Sequence, residues 1–131
     1  MAARILAFVI NDSTARLAWM DSGTGNAYIL VYGTDQPAVP GAAAGGSALL
    51  RIDLAKPAGI VGADGTLQMV LGPATPGIGN GTAKWGRLFN GADVAGLDLT
   101  LTGTSGAGDI KLSNRNITVG AAVKVVAGTL R

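Results

Sequence analysis

Three residue types are missing altogether: the chain contains no histidine, no cysteine and no glutamate. Without histidine there is no imidazole to act as a general base near neutral pH, and no Ser-His-Asp triad can form despite plentiful serine and threonine. Without cysteine there is no thiolate nucleophile, no soft metal ligand and no disulfide. Charge is scarce as well, with charged residues at 14% and aromatic residues at 5%. The ten Lys and Arg are scattered from Arg4 to Arg131 and form no cluster that could follow a phosphate backbone, so no nucleic acid partner is expected. The apolar run Ile5–Ile10 is too short for a signal-peptide core or a membrane span, so neither a targeting signal nor a membrane partner is expected.

What is abundant is glycine, at 21 positions, set between short alternating apolar runs. Glycine supplies the positive φ that tight turns require, so it punctuates strands. Apolar residues reach 48%, and the mean hydropathy of +0.39 is high for a small monomer, whose surface needs charge to stay dispersed. Much of the excess is alanine and valine, which suit a subunit interface, so a homo-oligomer is expected. At 131 residues the chain fits a single domain over 1–131 with one core.

Along the chain, Ile5–Ile10 reads as a first strand. Asp12 or Ser13 caps a short helix over Thr14–Asp21 that Gly23 ends. Asn26–Tyr32 reads as a strand with Tyr28, Leu30 and Tyr32 on one face and Ala27, Ile29 and Val31 on the other. From Gly33 to Ser47 the composition turns to Gly, Pro and Ala, the signature of a projecting loop, with Pro37 and Pro40 near its crest. Ala48–Leu54 alternates as a strand, Lys56-Pro57-Ala58-Gly59 reads as a turn, and Gly62–Gly65 as a second turn leading into Thr66–Leu71. Pro73–Gly81 is a loop. Thr82–Phe89 places Ala83, Trp85, Arg87 and Phe89 on one side, and Asn90-Gly91 with Asp93 to Gly96 predicts a bulged connection. Leu97, Leu99 and Leu101 alternate as a half-buried strand, followed by Asp109–Leu112, Ile117–Val119 and Ala122–Leu130. Val126 breaks the last alternation, which predicts a bulge near Ala127-Gly128. The sum is an all-β domain, a sandwich or jelly-roll-like fold with one short N-terminal helix.

Candidate chemistry is sparse. Gly77-Ile78-Gly79-Asn80-Gly81 has the look of a phosphate loop, yet it leads into a strand and no Gly-Lys-Ser/Thr accompanies it, so a plain turn is the better reading. The eight acids are all aspartates, none paired at calcium-loop spacing, and most fall in turns or caps where they bond the local backbone. No catalytic residue, metal ligand or cofactor is therefore expected. Trp19 and Trp85 are candidate aromatic contacts for a sugar ring, with core or interface packing the alternative. Arg87, between Trp85 and Phe89, reads as a stacked interface arginine or a snorkelling edge residue. The candidate interface residues are Ile5, Leu6, Phe8, Val9 and Ile10, which as a terminal strand could pair with a neighbour's sheet edge, together with Pro37 and Pro40.

Three segments carry a resemblance: Tyr28–Pro37; Leu49–Leu54 with Pro57-Ala58-Gly59; and Gly81–Gly91 around Trp85-Gly86-Arg87-Leu88-Phe89, followed by Gly108–Leu112, Asn116-Ile117 and the Val123–Val125 strand. Together, from about Asn11 onward, they resemble a family of small structural proteins of tailed-bacteriophage virions. The resemblance implies a non-enzymatic virion protein, capsid decoration first and a tail, neck or fibre-attachment role second, whose partners are other virion proteins and copies of itself. A host-surface carbohydrate-binding module is the alternative from another class.

Overall fold

The computed structural model describes residues 6–130. Its only helix among them, α1, runs Leu6–Met20 and precedes eleven strands: β1 (Tyr28–Tyr32), β2 (Leu50–Val61), β3 (Leu67–Leu71), β4 (Thr75–Pro76), β5 (Gly81–Thr82), β6 (Trp85–Phe89), β7 (Ala95–Gly103), β8 (Ile110–Leu112), β9 (Asn116–Ile117), β10 (Ala122–Val123) and β11 (Val125–Leu130). The fold is thus mostly β with one short helix. Seven strands close on themselves in the order β1-β2-β3-β11-β8-β7-β6, so the main sheet is a barrel where the sequence pattern suggested a sandwich or jelly roll. Alternation and turn spacing are the same in all three architectures. What closes this one is β1, which is paired antiparallel to β2 on one side and to β6 on the other.

The barrel interior is solid. Ile29, Val31, Leu50, Ile52, Leu54, Leu67, Met69, Leu88, Leu99, Leu101, Ile110, Leu112 and Leu130 are all buried in one cluster. A barrel this small has an interior just wide enough for side chains to fill, and here aliphatic ones fill it.

Two irregularities foreseen in the sequence are present. The β6–β7 pairing shifts register between Leu88 and Phe89, and the connection is held by Asn90, whose Oδ1 accepts from the amides of Ala92 and Val94. The β11–β8 pairing shifts between Val125 and Ala127, bulging at Val126.

Two expectations are corrected. Leu6–Ile10 is the start of α1 and not a strand, so Asp12 and Ser13 lie within the helix and do not cap it, and Ile5 lies outside the described residues. The helix wins because Ser13, Leu17 and Met20 recur at helical spacing toward the barrel, and Ser13 Oγ donates to the carbonyl of Gly65 in the β2–β3 turn. Lys56–Gly59 does not turn the chain; β2 continues through it. Opposite β3 the register shifts, since β2 advances from Leu54 to Gly59 while β3 goes back only from Leu71 to Met69. The extra residues bulge toward the end of α1. There the amide of Ala58 donates to Asp21 Oδ1 at 2.9 Å, and Lys56 Nζ donates to the carbonyls of Gly23 and Gly25 at 2.9 and 3.2 Å. A side chain from the helix end therefore satisfies the backbone that a turn would otherwise have left open.

Candidate functional site

With the interior filled, function falls to the outer surface, where two features stand out. The first is an ordered polar–aromatic face on β2, β1, β6 and β7. Directly paired residues of an antiparallel sheet point to the same side. The register therefore sets Asp53, Tyr28 and Phe89 in one row, Arg51, Leu30, Arg87 and Asp98 in the next, and Tyr32, Trp85 and Thr100 in a third. All lie on the face opposite Ile29, Val31 and Leu88.

Contacts run along these rows. Tyr28 and Phe89 stack with centroids 5.0 Å apart, and Tyr32 and Trp85 stack at 4.9 Å. The Arg51 guanidinium lies 3.8 Å from the centre of the Tyr28 ring, and that of Arg87 lies 5.0 Å from Trp85. Arg87 also grips Asp98 with both arms, Nε to Oδ1 at 2.7 Å and Nη2 to Oδ2 at 3.2 Å, with side chains only 10% and 3% exposed. The bond to Asp98 keeps the guanidinium proton above the usual arginine range, and burial opposes it.

The Gly33–Ser47 segment folds back over this face. Arg87 Nη2 donates to the Ala42 carbonyl at 2.6 Å, Thr34 Oγ1 donates to that of Ala44 at 2.6 Å, and Lys84 pairs with Asp35 at 3.1 Å. The loop is irregular as expected and its crest is exposed, with Pro40 open to solvent and Pro37 half-buried, but its base is tied to the barrel. Trp85 ends up fully buried beneath it and offers no face for a sugar ring. Arg87 is stacked on Trp85 and does not snorkel to an edge; it is the buried link between loop, strand and aromatic ring.

Tyr28 gives this face a pH dependence. Burial, then the hydrogen bond its hydroxyl donates to Asp93 Oδ1 at 2.9 Å, raise its pKa above the ordinary 10.0, while Arg51 opposes. The folded chain holds this proton more tightly than the unfolded one, so the stabilisation is complete below the unfolded value and is lost as pH rises through the folded one. Urea unfolding on either side of pH 10 should show a larger alkaline loss for the native chain than for Tyr28→Phe. Equal losses would sink the assignment.

The second feature is an apolar groove of about 360 Å³ between α1 and the barrel, lined by Ala15, Arg16, Trp19, Met20, Leu88, Gly96 and Leu97. Met20 and Leu88 form its buried floor, and Trp19, half-buried, leans on Gly96, where there is no side chain to hold it off. Arg16 stands at the rim, paired with Asp12 at 3.0 Å. Apolar positions Val39, Ile60, Ile78, Val94, Val119 and Val126 are exposed elsewhere on the surface.

The other sequence candidates resolve into local structure. In the glycine-rich segment the amide of Gly77 donates to Ala121, and those of Ile78 and Gly79 both donate to Leu49, so the segment is a backbone joint and not an anion cradle. The aspartates are each engaged separately. Asp64 accepts from Thr66, Asp109 from Thr100, Asp53 from Arg51, and the rest as described above. Among the described residues no three carboxylates converge as a metal site, and no helix is long and apolar enough to cross a membrane.

The sequence named Trp19 but not the groove around it. Gly96, Leu97 and Leu88 reach it only through the β6–β7 bulge, which sequence reasoning placed without a register. No known protein family, curated protein or solved structure matches the chain.

Proposed function

We propose that the chain is a non-enzymatic structural protein that acts by burying surface against copies of itself and neighbouring proteins, as a component of a tailed-phage virion. The observation that carries the assembly reading is an open apolar groove on a barrel whose interior is already filled by its own side chains. A groove of that character loses free energy when covered, at about 25 cal/mol per Å² of apolar surface removed from water. The low charge and the exposed valines and isoleucines support the same reading. The virion assignment rests on the segments Tyr28–Pro37, Leu49–Leu54 and Gly81–Gly91. Capsid decoration is the first choice, with a tail, neck or fibre-attachment role second. The burial of Trp85 counts against a carbohydrate-binding module.

Antibody raised against the purified chain, applied to density-gradient fractions of particles released from the source culture, should find it banding with intact virions. Recovery only in the soluble fractions, with virions present and unlabelled, would remove the virion assignment.

A further inference from the structure

The flank of α1 that borders the groove has its own pattern. At 100° per residue, Ser13, Leu17 and Met20 point to the barrel, while Asp12, Ala15, Arg16 and Trp19 share the adjoining flank. Asp12 and Arg16 form an ion pair on this flank with side chains 35% and 32% exposed. Leu6, Ala7, Phe8, Val9 and Ile10 then make the first turns of α1 apolar at every position. Five consecutive residues go all the way round a helix. A helix segment apolar on all sides is ordinarily covered on all sides.

We infer that α1 is a homotypic docking helix: two copies of the chain pack their α1 helices antiparallel about a two-fold axis near Thr14, each laying its first turns into the groove of the other. This rests on the reading of the chain as an assembly protein and names the surface it uses. Charge selects a second copy as the occupant. An antiparallel pair centred on Thr14 brings Asp12 opposite the partner's Arg16 and Arg16 opposite the partner's Asp12, so each carboxylate lies between two guanidinium groups. The same operation brings the apolar start of one helix to the end that carries Trp19, Gly96 and Leu97 in the other. The interface is self-complementary, as a two-fold contact must be. A helix of 15 residues is about 22 Å long. A pair of that length falls near or below the roughly 1,200 Å² of a standard interface, so the dimer should be reversible and concentration-dependent.

The test is sedimentation equilibrium of the full chain over a wide concentration range, with charge-reversed variants at the two half-exposed positions. The native chain should show a monomer–dimer equilibrium. Asp12→Arg and Arg16→Asp each place four like charges across the axis and should weaken it by about tenfold or more when alone. Mixing the two variants in equal amounts restores every opposite-charge pairing and should recover the dimer as a heterodimer. The doubly exchanged chain, Asp12→Arg with Arg16→Asp, should dimerise like the native one. Recovery on mixing is a readout that a merely structural role for either residue would not give, and circular dichroism confirms that each variant is folded. A native chain that stays monomeric throughout overturns the inference, as do single variants that dimerise normally. Dimers indifferent to the charge changes would overturn helix pairing while leaving the assembly reading in place, and the particle-banding assay judges the virion reading independently.

Discussion

Asp98→Ala should cost about 3–5 kcal/mol, the range for breaking one partner out of a buried ion pair. Whole-domain stabilities are on the order of 5–15 kcal/mol, so the loss would be a large fraction of the total. The reason lies in what is left behind. Arg87 cannot deprotonate to escape burial, and without Asp98 its guanidinium keeps one fixed partner, the carbonyl of Ala42. To recover solvation it must swing outward or admit water, and either movement releases the stack on Trp85 and the tie to the Gly33–Ser47 loop. Proteolytic nicking of that loop should rise together with the loss of stability.

The double replacement Arg87→Met with Asp98→Leu should regain most of the loss, because apolar groups of similar volume leave no unpaired charge. Urea unfolding of the native chain, both single variants and the double gives the coupling as a cycle. A cost below about 1 kcal/mol for Asp98→Ala would mean that the pair behaves as an exposed one, and the account of the loop as held from below would fall with it.

The parts of this fold that were legible in the sequence are those set by local chemistry. Asn90, with Gly91 and Asp93 behind it, announces a bulged hairpin because its side chain can bond amides two and four residues on, and it does. Val126 announces a bulge by breaking a period of two. The parts that were not legible are settled at a distance. Leu-Ala-Phe-Val-Ile is apolar at every position, so neither the helical nor the strand period can be read from it, and what decides is the barrel wall against Ser13 and Leu17. Pro57 and Gly59 look like turn residues until Asp21 takes the amide between them. The buried link between Arg87 and Asp98 is written in the hairpin itself: counting outward from Asn90 with one bulge sets the two opposite each other. Barrel closure has no such signal, since alternation states which face of a strand is inside and not which strands meet.

The joint between α1 and the barrel should be as sensitive as the ion pair, through Gly23. Its φ is +93°, and a Cβ there would lie 2.5 Å from the amide nitrogen of Ala92 and 2.5 Å from the carbonyl carbon of Gly91. Both are backbone atoms of the Asn90 turn, which is itself tied to the helix end by Gly91 N to the Met20 carbonyl at 3.2 Å and Gly25 N to the Gly91 carbonyl at 3.0 Å. Neither segment can give way without breaking these bonds. Gly23→Ala should therefore cost about 2–5 kcal/mol, the sum of a left-handed backbone and a forced overlap. Gly120 separates the two contributions. Its φ is +83°, yet an added Cβ would meet nothing within 4 Å. Gly120→Ala should thus show only the conformational part, about 1–2 kcal/mol. The difference between the two variants in urea unfolding measures the overlap. Equal costs would mean that the helix end can slide off the Asn90 turn at no expense, and the groove bounded by Trp19 and Gly96 would then not be a fixed surface. A clear excess for Gly23→Ala, with faster hydrogen exchange confined to α1, would show that the turn clamps the helix and so fixes the shape of the groove.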